Sequence, residues 1–272
     1  MNIFTIILTQ PLTNGLILFY KIFGQNIGLA IVFFSIALRF ALLPLTKPYM
    51  ESMKKMKEHA PQIEKLKRKH KDDKKKLMQA QAEFYKQKGI NPGAGCLPYL
   101  LQIVVLFALF GVFSNVLSAN GDLAARVNNL LYPPLKLAQD ATVNTKFLYM
   151  DITKPDVIRL EGLPIPLPGP VLILAALTQV ISAKIMSPHI EKQKKAAKKT
   201  KEVADDFQTA MQSSMVYTFP LITIFAGMNF ASGLALYWVT FSLFQTIQQY
   251  KSSGWGGATP WVRRLQTLVK TP

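Results

Sequence analysis

Long apolar stretches alternate with strongly charged segments along this chain. Residues 89–121, 162–183 and 207–250 contain no Asp, Glu, Lys or Arg. Because a helix needs about 20 mostly apolar residues to cross a bilayer, the first two stretches predict one span each, and the third is long enough for two. The apolar run at residues 26–46 adds a fifth. A soluble protein could bury one such helix but not five, so the pattern predicts an all-α integral membrane protein.

The predicted segments follow one another in chain order. The five transmembrane helices are predicted at residues 26–46, 96–117, 169–187, 213–229 and 233–250. The segments around them are an amphipathic stretch at 1–25, a helical hairpin at 47–95, a long loop at 118–168, a basic loop at 188–212 and a tail at 251–272.

The first 25 residues fit two arrangements. Thr9 followed by Pro11 predicts a helix start, and four apolar side chains then share one face, namely Leu12, Leu16, Phe19 and Phe23. Polar residues and a proline interrupt the apolar run, which favours an amphipathic helix on the outer membrane surface over a sixth span. A charged n-region and a small-residue cleavage site are not evident, so a signal peptide is not indicated.

The distribution of Lys and Arg predicts the orientation in the membrane. Five spans place residues 47–95, 188–212 and 251–272 on one side, and these segments carry 14, 6 and 4 basic residues. The opposite side, residues 1–25 and 118–168, carries six. Because basic loops stay in the cytoplasm, the N-terminus is predicted outside and the C-terminus inside. The net charge of +17 therefore describes cytoplasmic loops.

Residues 47–90 are dense in Lys, Glu, Gln and Met, which are good helix formers. Apolar side chains recur there at three- and four-residue steps, and a turn is predicted at residues 70–73, so the segment is predicted to form two antiparallel amphipathic helices. Its charge fits a solvated face. It also fits a docking surface for ribosomal RNA or anionic lipid, to which Lys192–Lys201 and Arg263–Arg264 would contribute.

Arg39 lies inside the first predicted span. A guanidinium keeps its proton, so it must be solvated or paired even at bilayer depth. The predicted spans contain no Asp or Glu, and Ser35 stands one helical turn away from Arg39. Polar side chains at helical spacing in the other spans could be interhelical contacts or could line a hydrophilic groove with Arg39. They include Gln102, Thr178, Gln179, Ser182, Trp238, Ser242, Gln245 and Gln249.

Catalytic and cofactor chemistry is not indicated. The single cysteine, Cys96, excludes an intramolecular disulfide, and three scattered histidines offer no metal-ligand spacing. A phosphate-cradling glycine loop and a nucleophile–base pair are also missing. The sequence therefore predicts no cofactor and a protein that is not an enzyme.

Four motifs follow one another in this chain. They are Leu38–Thr46, which contains Arg39, then Asn91–Gln102, Phe147–Asp156, and Gly233–Trp238 with Gln248-Gln249. Their order and spacing, from about residue 10 to 250, resemble the YidC/Oxa/Alb-type membrane protein insertase family. Any one motif would be a weak signal, but four in register are a strong one.

The resemblance implies five core helices around a hydrophilic groove that is open to the cytoplasm and to lipid. In that family the groove arginine receives polar or acidic parts of a nascent membrane protein. Carried onto matching positions, this arginine is Arg39, with Ser35, Gln179 and Trp238 as groove contacts; Gln102 and Ser242 join them from the polar stripes. The implied partners are nascent chains, lipid, and the ribosome, the signal recognition particle receptor or the Sec translocon at the hairpin. The implied location is the bacterial cell membrane.

Two other functions fit parts of this pattern. A small anion or solute transporter could use Arg39 as its binding charge, although carboxylate partners and repeated halves are missing. A structural scaffold for respiratory complexes is the third possibility. The resemblance favours the insertase.

Overall fold

The structure, a computed structural model, describes residues 3–70, 73–91, 97–116, 127–138, 144–186 and 216–270. Helices dominate these residues: α1 (Gln10–Ile22), α2 (Ile27–Glu58), α3 (Ala60–Lys69), α4 (Lys74–Gln87), α5 (Leu97–Val116), α6 (Pro170–Met186), α7 (Val216–Gly227), α8 (Ser232–Ser253) and α9 (Thr259–Lys270). Two short antiparallel pairs precede α6: β1 (Lys146–Phe147) with β2 (Met150–Asp151), and β3 (Val157–Ile158) with β4 (Leu167–Pro168). Cys96 and the basic loop predicted at 188–212 lie outside the described residues.

The chain forms two compact units. The first comprises Met1–Phe40 and Leu106–Pro272, and the second comprises Ala41–Val105. Arg39 and helices α6, α7 and α8 all belong to the first unit, whereas the hairpin helices α3 and α4 belong to the second.

Within the described residues, one stretch is long and apolar enough to cross a membrane, namely Ile27–Pro48 of α2. Shorter apolar helices occur at Leu101–Phe113 of α5 and along the whole of α6 and α7. Helix α8 is longer, but Ser, Thr and Gln side chains interrupt its apolar residues. The all-α prediction agrees with this mostly helical chain, and the count of five spans stays a prediction.

Helix α2 continues beyond the end predicted for the first span. It passes through Pro44 and Pro48 and ends only at Glu58. Only His59 separates it from the next helix, α3, and Pro61 lies in the first turn of α3. Backbone N–H groups in the first turn of a helix have no intrahelical acceptor, so proline, which has no N–H, is tolerated there. In the interior of a helix it would remove a hydrogen bond. The predicted first arm of the hairpin is therefore two helices rather than one.

The second unit closes through contacts between its helices and the chain that follows them. Asp73 caps α4 by accepting a hydrogen bond from the backbone N–H of Lys76 at 3.0 Å, as the capping preference of Asp predicts. The rings of His59 and Phe84 meet edge to face, with centroids 5.9 Å apart. Ser52 donates to the carbonyl of Asn91, which lies just after α4. The hairpin is thereby tied to the part of α2 that follows Phe40.

The N-terminal helix begins earlier and packs differently than predicted. Residues Thr5–Thr9 form a π-helix that runs directly into α1. A Cβ added to Gly15 would lie 2.6 Å from the ring of Phe34, so α1 and α2 approach closely at this glycine. The buried face is rotated from the predicted one and consists of Thr13, Asn14, Leu16, Ile17 and Tyr20.

A buried carboxylate organises the start of α6. Asp156 is 5% exposed, and its Oδ2 accepts a hydrogen bond from the N–H of Leu172 at 2.8 Å. Its Oδ1 accepts from the hydroxyl of Tyr149 at 2.8 Å, and that hydroxyl oxygen accepts from the N–H of Val171 at 3.0 Å. These contacts satisfy N–H groups that the first turn of a helix leaves free. A Cβ at Gly169 would lie 1.9 Å from Oδ1 of Asp156, so glycine alone fits beside this carboxylate.

The hydroxyl of Tyr149 remains protonated at neutral pH. Burial of the hydroxyl, with a smaller effect from the neighbouring Asp156 carboxylate, raises the pKa of Tyr149 to about 12. Tyr149 therefore stays a hydrogen-bond donor to Asp156 throughout the physiological range.

The same loop also holds the start of α8. The N–H of Ser232 donates to the carbonyl of Lys154 at 2.8 Å, and the N–H of Gly233 donates to the carbonyl of Ile152 at 3.0 Å. Residues 150–156, which we name the capping loop, therefore bind the first turns of both α6 and α8, and the two helices begin side by side. Because the two helices also pack against each other, they run parallel.

Candidate functional site

Arg39 lies on α2 with its guanidinium between two kinds of neutral group. Its Nη2 donates a hydrogen bond to Oε1 of Gln245 on α8 at 3.1 Å. Its Cζ lies 3.4 Å from the centroid of the Phe241 ring and 5.9 Å from that of Phe244. A guanidinium over an aromatic face gains a favourable electrostatic contact without losing its net charge. Across the described part of the chain, Arg39 has no carboxylate partner.

Gln245 is itself fixed by the end of α6. Its Nε2 donates to the sulfur of Met186 at 2.8 Å. Because the amide nitrogen contacts Met186, the amide oxygen faces Arg39. One glutamine thus joins α2, α6 and α8 and sets the polarity of the group next to the guanidinium.

Three buried polar atoms lack a hydrogen-bond partner within the described residues. They are Nε of Arg39, Oγ of Ser182 and Nε1 of Trp238. Leaving such a group buried and unpaired costs about 1–3 kcal/mol, and more where the group is charged. Unpaired polar atoms on three packed helices are typical of a binding site for a polar group.

Parallel packing brings the polar residues of α6 and α8 to similar heights. Met186 contacts Gln245, so Ser182, one turn earlier on α6, lies near the height of Ser242 on α8. Two turns earlier, Gln179 similarly lies near the height of Trp238. All of these side chains except Gln245 are nearly completely buried. The structure therefore places the predicted Trp238 and Ser242 on the face of α8 that also carries Gln245.

Gln179 has a partner that the sequence did not indicate. Its Oε1 accepts a hydrogen bond from the hydroxyl of Thr223 on α7 at 2.9 Å, and both side chains are buried. In this structure Gln179 therefore connects α6 to α7 through its amide oxygen.

Within the described residues, Ser35 does not form a hydrogen bond with Arg39, although it stands one helical turn away. Its hydroxyl is buried and donates to the carbonyl of Ile31 in its own helix. Serine in a helix commonly bonds back to the carbonyl four residues earlier, and Arg39 reaches across to Gln245 instead.

Gln102 belongs to the other compact unit, where it is half-buried on α5. Its predicted role in the groove stays a prediction. Gln245 was predicted among the polar residues that could line the groove, because it shares a helical face with Trp238 and Ser242. Two other contacts of the site were not predicted. Phe241 and Met186 carried no signal, since apolar residues in a span are ordinary.

The assembled residues bring one cation together with neutral polar and aromatic groups, an arrangement suited to binding an anion. Among the residues that the structure describes, no cluster of three or more His, Cys, Asp or Glu side chains could hold a metal ion. The Nε edge of the Arg39 guanidinium is buried, one face of the group lies against the Phe241 ring, and Nη2 donates to the neutral oxygen of Gln245. A carboxylate or a polar segment of another chain is the ligand class that fits this arrangement.

Known proteins match almost the whole chain. The model of the 60Kd inner membrane protein family matches residues 18–254. The membrane protein insertase YidC of Fusobacterium nucleatum is 31% identical over 226 residues, which cover 83% of this chain and 85% of the relative. YidC of Clostridium tetani is 28% identical over 246 residues, covering 86% and 90%.

A longer relative aligns over only part of its length. YidC of Caulobacter vibrioides is 32% identical over 243 residues, which cover 89% of this chain but 35% of the relative. This chain therefore spans about a third of the length of that relative. The chain belongs to the 60Kd inner membrane protein family, the family of the YidC membrane protein insertases.

Proposed function

We propose that this chain inserts nascent membrane proteins into the bacterial cell membrane and assists their folding, with Arg39 receiving acidic or polar parts of the translocated segment. One observation carries the proposal: within the described residues, the charge of Arg39 meets only the neutral amide of Gln245 and the rings of Phe241 and Phe244. A positive charge held in this way is available to an anionic guest. Burial of the apolar part of the substrate in lipid drives the step, so nucleotide hydrolysis is not needed.

The proposed topology has five spans around a groove that is open to the cytoplasm. The spans are residues 26–46, 96–117, 169–187, 213–229 and 233–250, with the N-terminus outside and the C-terminus in the cytoplasm. The parallel start of α6 and α8 at the capping loop supports a common outer end for these two spans. A groove wetted from the cytoplasm shortens the apolar path that a polar tail has to cross.

The hairpin residues Lys54–Lys88 and the basic tail are the proposed surfaces for the ribosome, the signal recognition particle receptor and the Sec translocon. The last turn of α3 carries Lys67, Arg68 and Lys69, and α4 opens with three further lysines. Clustered Lys and Arg bind phosphate groups without sequence preference. Helix α9 adds Arg263 and Arg264 at the opposite end of the chain.

Reconstitution tests the proposal directly. Purified protein in liposomes is supplied with one short single-span substrate that has an acidic tail, and protection of the tail from protease reports insertion. We expect clear insertion above the level of protein-free liposomes, and insertion at that background level would refute the proposal. Flux of small anions in the same vesicles, without nascent chains, would instead support the transporter.

Photocrosslinking tests the route of the substrate. Crosslinkers at Ser35 and Trp238 are expected to capture a stalled nascent chain, because both side chains lie on the helix faces turned toward the site. The matched control is Ile247, which is 57% exposed on the same helix as Trp238. Capture at Ile247 with none at the two buried positions would contradict a route through the groove.

A further inference from the structure

We infer that Gln245 and Phe241 determine the selectivity of Arg39 for carboxylates, with Gln245 occupying half of a two-point binding site. The inference rests on the proposed function, because it concerns the group that Arg39 receives. It goes further by naming the groups that a substrate carboxylate meets when it reaches Arg39, and by giving a role to Gln245 and Phe241.

The edge of the guanidinium next to Gln245 is only half satisfied. The Nε–H and one Nη2–H of an arginine point the same way and can bind both oxygens of one carboxylate in parallel. In this structure Nη2 donates to the single oxygen of Gln245 at 3.1 Å. The neighbouring Nε is buried and has no partner among the described residues. An amide supplies one acceptor where a carboxylate would supply two.

Phe241 restricts the direction from which a ligand can arrive. Its ring covers one face of the guanidinium, with Cζ 3.4 Å from the ring centroid. The N–H groups lie in the plane of the guanidinium, and the unpaired Nε lies on the edge shared with Nη2, so this edge is the favoured site for a carboxylate. Phe241 also keeps that plane in a fixed direction, which favours two-point binding over a loose ion pair.

Met186 holds Gln245 in the orientation that this competition requires. The contact between Nε2 and the sulfur keeps the amide nitrogen away from Arg39. A neutral polar tail offers acceptors no stronger than the amide, so it gains little by displacing Gln245. An acidic tail offers a charged acceptor that satisfies Nε as well, so it displaces the amide oxygen. The selectivity for acidic tails thus depends on Gln245 being a neutral placeholder.

Gln245→Glu tests this inference because it places a carboxylate permanently at the same position. We expect insertion of an acidic-tail substrate to fall by about tenfold or more, since the resident carboxylate now occupies both N–H groups. Insertion of a substrate with a neutral tail should stay near the wild-type level, which also shows that the variant folds. Gln248→Glu, three residues further along α8, is the matched control and should insert both substrates normally.

A second variant distinguishes a carboxylate that occupies the N–H groups of Arg39 from a general loss of structure at position 245. Gln245→Ala removes the placeholder and should keep acidic-tail insertion at or above the wild-type level. The inference is overturned if Gln245→Glu inserts acidic tails normally, or if it impairs both substrates equally. A lack of effect of Arg39→Ala on acidic tails would overturn the proposed function itself, so the two failures are distinguishable.

Discussion

Arg39→Ala is expected to abolish insertion of substrates whose translocated tail is acidic, whereas Arg39→Lys should retain part of it. Alanine removes the positive charge that attracts the tail. Lysine keeps a charge on a flexible stem but loses the planar fork and the stacking on Phe241. The measurement is protease protection of the tail in liposomes that contain the purified variants.

Two comparisons make this result specific to the site. A substrate with a neutral tail should be affected much less by Arg39→Ala, because it does not use the charge. Arg159→Ala removes one arginine from the loop between β3 and β4 and should insert both substrates like the wild type. Normal insertion of the acidic tail by Arg39→Ala would rule out the electrostatic role of the groove.

Asp156→Ala is expected to lower the free energy of unfolding by roughly 2 kcal/mol or more. The substitution leaves the N–H of Leu172 and the hydroxyl of Tyr149 without the acceptor they share, and the fully buried Leu172 has little access to water. Chemical or thermal unfolding of the purified protein in detergent measures the loss. Because α6 carries Ser182 and Met186, insertion of acidic and neutral tails should decline together.

The control for Asp156→Ala lies in the same loop. Glu161 is exposed, so Glu161→Ala removes an equal charge and should leave the unfolding transition in place. Asp156→Asn is expected to be intermediate, since an amide oxygen can still accept from Leu172. Equal stability of the alanine variants at positions 156 and 161 would show that the carboxylate is not part of the structural framework.

The mostly helical character of the chain could be predicted because long apolar stretches alternate with segments rich in helix-forming charged residues. The ends of the helices were less predictable. Helix α2 extends to Glu58 through two prolines, and a π-helix at Thr5–Thr9 precedes the start of α1. Both cases depend on tertiary packing, which can override the local preferences of proline and of capping residues.

The contacts of the site could be predicted only in part. Arg39 was evident from its charge, and Trp238 and Ser242 from their spacing on one face. Its pairing with Gln245 joins residues 206 positions apart, which no local pattern reveals. The role of Asp156 is similar, because its carboxylate caps a helix that begins beyond two short strands. Ser35 illustrates the converse, since a residue of the right type and spacing bonds within its own helix.

The parallel start of α6 and α8 has an electrostatic consequence for the direction of transport. The N-terminal end of each helix is equivalent to about half a positive charge, and both ends meet at the capping loop. At α6 the carboxylate of Asp156 offsets this charge, whereas the first N–H groups of α8 are held by neutral backbone carbonyls. In the proposed orientation the α8 end faces outward and would oppose the passage of positive charge. It would thereby favour products whose basic flanks remain in the cytoplasm.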